Sequence, residues 1–193
     1  MRILLSFLAL LLTGCVTTTK PAAPADAFFA RLSSLCGKAF EGRIVSPAEE
    51  ANRDFAGKRL VMHVRECSAD TIRIPFHVDD NRSRTFVLTR TSGGLRLKHV
   101  HLHEDGSEEK MSQYGGDTMT PGSPSRQEFP SDRFSRELVV RENVPERAAN
   151  VWVWEVEPER LFAFELRRPN RFLRVAFDLS RPVAVPPAPW GSR

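Results

Sequence analysis

From Phe40 onward, apolar residues fall on alternate positions in short runs separated by Gly, Pro, Asn, Asp and Ser, which is the period-two spacing of half-buried strands. The runs Phe40–Val45, Leu60–Glu66, Thr71–Val78, Arg84–Thr91, Leu95–His103, Arg136–Arg141, Asn150–Glu157, Leu161–Arg167 and Arg171–Leu179 are the strands this pattern predicts. Ser92-Gly93-Gly94 and Arg168-Pro169-Asn170 supply tight turns, so the strands they join are expected to be antiparallel. Ahead of them, Phe28, Phe29, Leu32 and Leu35 follow helical spacing and predict one short N-terminal helix. The expected fold is mostly β: an antiparallel up-and-down barrel or a curled meander, since closure removes the edges through which strands aggregate. A two-layer sandwich is the alternative.

Two segments break the pattern. Residues 104–135 lack sustained periodicity and read as a long loop, a cover or insertion over the domain. The tail PVAVPPAPWGSR, residues 182–193, reads as a polyproline surface run with Trp190 packing back. Composition then narrows the class. With 193 residues, 41% hydrophobic and 27% charged, the chain is an ordinary globular one in which residues 27–181 form a single β-rich domain. Its charge of +4 is spread thinly, without the basic runs that would release counterions from a phosphate backbone, so nucleic acid is not an expected partner.

The first residues have a different character. Arg2 precedes an apolar stretch, Ile3 to Leu12, broken only by Ser6, which has the dimensions of a signal-peptide core rather than a spanning helix. It ends in Leu12-Thr13-Gly14-Cys15, which resembles the lipobox of bacterial lipoprotein precursors. The resemblance implies that residues 1–14 are removed as a signal peptide, and that Cys15 carries a diacylglyceryl group and an amide-linked acyl chain such as palmitate. Acyl chains contribute about 0.8 kcal/mol per buried methylene, so several together attach the protein to a membrane effectively for good. Val16 rather than Asp after the cysteine implies sorting to the outer membrane, with the domain in the periplasm or at the cell surface. Residues 15–26 then serve as the lipidated cysteine and a flexible tether.

Export also bears on the other two cysteines. Cys36 and Cys67 are expected to pair, since thiols oxidise outside the cytoplasm and the spacing is far from a redox-active C-x-x-C. Such a bridge closes a loop of about thirty residues and contributes roughly 3 to 4 kcal/mol by loop-closure entropy.

All five histidines lie between His63 and His103, and His99, His101 and His103 alternate. On a strand these three share one face, about 7 Å apart at successive positions, and with Glu104 and Asp105 they form a candidate site for a divalent transition metal. Leu95 and Leu97 share their parity and point them inward, whereas Val100 and Leu102 argue for the opposite orientation unless a bulge intervenes. Gly93, His99, His101 and Asp105 have a partial likeness to the first cupin motif, with the later glycine misplaced and no second motif. Solvated or core histidines are the alternative. Trp152, Trp154, Phe162 and Phe164 either line a ligand cavity or fill the interior. Arg73, Arg84, Arg90, Arg96, Arg167 and Arg174 would bind an anion only if some face inward.

No G-x-S-x-G elbow, Walker glycines or H-E-x-x-H occurs, so serine hydrolysis, nucleotide chemistry and zincin proteolysis lack support. The architecture is nearest to a lipocalin-like barrel, without the G-x-W of that family at the first strand. The blocks IPFHV, SRTFVLTRT, GLRLKHVHLHEDGS and QYGG resemble an uncharacterised family of exported bacterial proteins, a likeness that covers most of the mature domain and implies no activity. The expected function is therefore that of a lipid-anchored envelope protein that binds a small ligand or an envelope protein without catalysing turnover. A metal-dependent enzyme built on His99, His101 and His103, and a structural lipoprotein of envelope assembly, are the alternatives.

Overall fold

The period-two runs pair largely in chain order. A computed structural model of the protein describes residues 22–47 and 54–192. The segments read as signal peptide and lipobox, with Cys15, and most of the segment read as a tether lie outside the described residues. Helix α1 (Pro24–Ser33) is followed by β1 (Ala39–Ile44), β2 (Leu60–His63), the short β3 (Glu66–Cys67), β4 (Thr71–Val78), β5 (Asn81–Thr91) and β6 (Gly94–His101). Then come β7 (Tyr114–Asp117), β8 (Arg126–Pro130), α2 (Arg133–Arg141), a 3-10 turn (Pro145–Ala149), β9 (Val151–Glu157), β10 (Leu161–Arg168) and β11 (Arg171–Val183). The described strands form one 11-stranded antiparallel sheet in the order β7-β6-β5-β4-β2-β1-β11-β10-β9-β8, with β3 added on β4. It curls into a nearly closed barrel, as the strand pattern predicts.

The seam lies between β7 and β8. Asp132 N–H donates to Gly115 O at 2.9 Å, and the Ser135 hydroxyl bonds both Gly115 N and Gly115 O at 2.7 and 2.8 Å. Gly116 makes this approach possible, and Gly115 makes the close approach to neighbouring β6 possible. A Cβ on Gly115 would lie 1.9 Å from Leu97 O, and one on Gly116 would lie 1.7 Å from Pro130 O. Lys98 Nζ also crosses the seam to Asp132 at 2.5 Å.

The segment read as a loop and a strand is where sequence and structure part. Within 104–135 the chain forms β7 and β8, both short, the first built around Gly115-Gly116 and so without the alternation that marks a strand. Arg136–Arg141 is the end of α2, not a strand. Asp132 caps that helix by accepting Ser135 N–H at 2.8 Å, and the buried residues Ser135, Leu138 and Val139 recur at three- and four-residue intervals while Val140 stays exposed.

Helix α1 packs across β6, β8 and β9 and buries Phe28, Phe29 and Leu32, closing one end of the barrel. The helix starts at Pro24, so it takes in the last residues of the segment read as a spacer. Cys36 and Cys67 form the expected disulfide, with Cα atoms 6.3 Å apart, and tie the end of α1 to β3. Inside, Trp154, Phe162, Phe129, Phe177 and Phe76 are almost wholly buried and pack ring against ring, so the barrel has a solid core rather than a lipocalin-like hollow.

Beyond β11 the tail folds back over the outer wall. Trp190 N–H donates to Arg82 O and Arg82 Nη1 to Ala188 O, both at 3.1 Å. Pro189 and Trp190 share a groove with Thr85, Val100 and Leu102. This resolves the conflicting parity of β6 without a bulge: Leu95, Leu97 and His99 point inward, and the outward Val100 is covered by the tail.

Candidate functional site

The end opposite α1 is open. There the inward positions of successive strands stop being apolar. On β5 the inner face runs Leu88, Phe86, Arg84; on β6, Leu97, His99, His101; on β10, Phe164, Leu166, Arg168; and on β11, Val175, Leu173, Arg171. Each strand thus delivers its last inward side chain to a cleft of about 180 Å³ at the barrel mouth. Tyr114 of β7, Trp152 of β9 and Leu166 form part of its lining, and Phe55, Arg147 and Asn150 complete the rim from the connecting segments.

An aromatic and imidazole stack supports the floor. The His99 ring lies face to face with Tyr114, centroids 4.7 Å apart, and edge-on to Phe86 at 4.9 Å, with Trp152 tilted over it at 4.9 Å. Its Nδ1 is 3.2 Å from Tyr114 O. A carbonyl only accepts, so Nδ1 carries the proton and donates. Burial, with His101 and Lys98 nearby, pushes the His99 pKa down to about 3, so the ring is neutral.

His101 sits nearer the opening. Its Nε2 is 3.0 Å from Tyr114 Oη and its Nδ1 is 3.6 Å from a Glu109 oxygen. Burial and then the Arg84 charge lower the His101 pKa to about 4, while burial raises that of Tyr114 to about 12. A protonated tyrosine therefore donates to a neutral imidazole, whose Nδ1–H faces Glu109. Both groups are set to make hydrogen bonds near neutral pH rather than to exchange protons.

The mouth is rich in cations. Arg84 Nη1 donates to Asn81 Oδ1 at 2.9 Å and lies over the Phe55 ring at 5.8 Å, and Arg168 Nη1 donates to Asn150 Oδ1 at 3.2 Å. Burial, followed by repulsion from Arg171, lowers the Arg168 pKa from its usual value; Arg147 adds to that repulsion and Glu146 opposes it.

The histidines do not assemble as the metal reading requires. His99 is locked in the aromatic stack, His101 is engaged with Tyr114, and β6 ends at His101, so His103, Glu104 and Asp105 fall on an exposed turn. Asp105 there accepts from the Ser107 backbone and hydroxyl. Among the described residues no group of three or more His, Cys, Asp or Glu side chains is placed to hold a metal ion. Of the four aromatics proposed to line a cavity, only Trp152 reaches the cleft. Trp154 and Phe162 are core, and Phe164 packs against Phe76 and Phe86 beneath the cleft.

Of the arginines singled out in the sequence, Arg84 alone faces the mouth. Arg73, Arg90, Arg96, Arg167 and Arg174 take outward positions in ion pairs with Glu66, Asp26, Asp117 and Glu165, Arg174 also binding Glu155. Sequence reading missed Tyr114, Arg147, Arg168 and Arg171. For Arg168 and Arg171 a signal was present: each extends the apolar parity of its strand by one more inward step next to the Arg168-Pro169-Asn170 turn. Comparison with protein-family models, curated proteins and solved structures finds no match.

Proposed function

We propose that the protein is a lipid-anchored protein of the bacterial cell envelope that binds a small ligand in the open mouth of its barrel. The observation that carries this reading is the mouth cleft itself. In a barrel whose interior is otherwise filled, a concave site at one end combines an apolar floor with converging polar side chains. Binding rather than catalysis is favoured because the titratable groups at the floor are held far from neutral pH, His99 and His101 low and Tyr114 high. The anchor rests on Leu12-Thr13-Gly14-Cys15 and the apolar run before it. Because that segment joins the domain at α1, the mouth opens at the end away from the attachment.

Ligand-observed NMR with a library of small fragments tests the site. Fragments should bind the wild type and lose binding in Leu166→Trp, which fills the cleft, at an unchanged melting temperature. Binding that survives the filled cleft counts against the mouth. Labelled palmitate should enter the wild type and not Cys15→Ser; equal incorporation would remove the anchor from the account.

A further inference from the structure

The charge at the mouth is arranged unlike the charge on the rest of the barrel. Many outward arginines meet carboxylates: Arg96 with Asp117 at 2.6 Å, Arg59 with Glu41 at 2.8 Å, and Arg174 with Glu155 at 2.8 Å, while Glu165 is shared by Arg126, Arg167 and Arg174. At the mouth, Arg84 and Arg168 make their hydrogen bonds to neutral amide oxygens, of Asn81 and Asn150. Amide oxygens orient a guanidinium without cancelling its charge. Of the nearby acids, Glu109 faces His101, Glu146 is 3.9 Å from Arg147, and Asp54, exposed at the lip, is part of the cleft lining.

Keeping like charges together in a partly desolvated cleft is costly, and the lowered pKa of Arg168 expresses that cost. An anion in the cleft would relieve it. The floor adds a second requirement, because bare inorganic anions gain nothing from Trp152 and Leu166. The size adds a third: a dry cavity of about 150 Å³ accommodates benzene, and this cleft measures about 180 Å³.

Resting on the reading of the mouth as a ligand site, we propose that its ligand is a small aromatic carboxylate, with its ring on the Trp152 side of the floor and its carboxylate toward Arg84 and Arg168. Arg147, on the exposed 3-10 turn, adds a cation at the outer rim. The Tyr114–His101 pair completes the polar side of the cleft.

Isothermal titration of the full chain in a neutral detergent with benzoate, benzyl alcohol, benzylammonium and inorganic phosphate tests the assignment. Benzoate should bind most tightly, weaken as sodium chloride is raised, and lose about tenfold in affinity in Arg84→Gln and again in Arg168→Gln. Arg147→Gln, which changes only an exposed side chain, should weaken benzoate more modestly and keeps the test open if either inner variant fails to fold. Benzyl alcohol binding as tightly as benzoate would overturn the anion assignment and leave the ligand site standing. Phosphate binding as tightly as benzoate would overturn the aromatic part. No binding by any of the four, in a protein whose fragment screen is also empty, would remove the site and its ligand class together.

Discussion

His99 shows at the scale of one residue how the fold and the mouth depend on each other. It is only 5% exposed, stacked on Tyr114 and under Trp152, and its pKa is lowered to about 3 from an ordinary 6.5. His101 and His77 are lowered to about 4, in each case chiefly by burial. Because the folded values lie below the unfolded one, the unfolded chain takes up protons that the folded chain refuses. Stability is therefore intact above about pH 6.5 and falls as pH drops through the window down to 3 to 4, by up to roughly 1.4 kcal/mol per pH unit for each such histidine. Urea denaturation at pH 7.5, 6 and 5 should show this loss, and His99→Gln should flatten it; a wild type equally stable at all three values would contradict the burial argument. Gly116→Ala should cost at least about 1 to 3 kcal/mol in the same assay, since its Cβ would meet Pro130 O at 1.7 Å and force the seam apart. The inward parity of His99 and His101 was legible from Leu95 and Leu97. Their convergence on one point was not legible, because alternation places residues on one face without making their rings meet, and among the described residues they form no group of three metal-ligating side chains.

At the scale of elements, strong periodicity carried through and weak periodicity misled. Strands such as β4, β5, β9 and β10 appear where alternation predicts them, and α1 appears where four apolar residues keep helical spacing. Helix α2 was hidden because apolar Leu138 is followed by the β-branched Val139 and Val140, although the Asp132 cap and buried Ser135 place those residues on a helix. β7 was hidden by Gly115-Gly116, which give no side-chain pattern, although Gly116 lets β7 approach Pro130 across the seam. Val100 and Leu102 seemed to face the wrong way only because their cover, Pro189 and Trp190, lies nearly ninety residues on. A chain ending at Val183 should therefore uncover that wall and melt roughly 2 to 8 °C lower, the shift expected for about 1 to 2 kcal/mol in a protein of this size. A truncated chain with unchanged melting would mean that the tail contributes nothing to the wall. Replacing Cys36 and Cys67 by Ser should cost roughly 3 to 4 kcal/mol by loop closure, read as a lower urea midpoint.

For the whole molecule, the decisive asymmetry is between the two ends of one barrel. Helix α1 seals one end with Phe28, Phe29 and Leu32, and the opposite end keeps its guanidinium groups around an aromatic floor. Between them the interior is filled, so a ligand of the proposed kind would have to sit at the mouth. The measurement that tests this most directly is a two-dimensional amide NMR titration of the isotope-labelled full chain with benzoate. Saturable shifts should gather on Arg84, His101, Tyr114, Trp152 and Arg168 and leave α1 unmoved. Shifts gathered at α1 or along the outer wall, or none that saturate, would contradict the account.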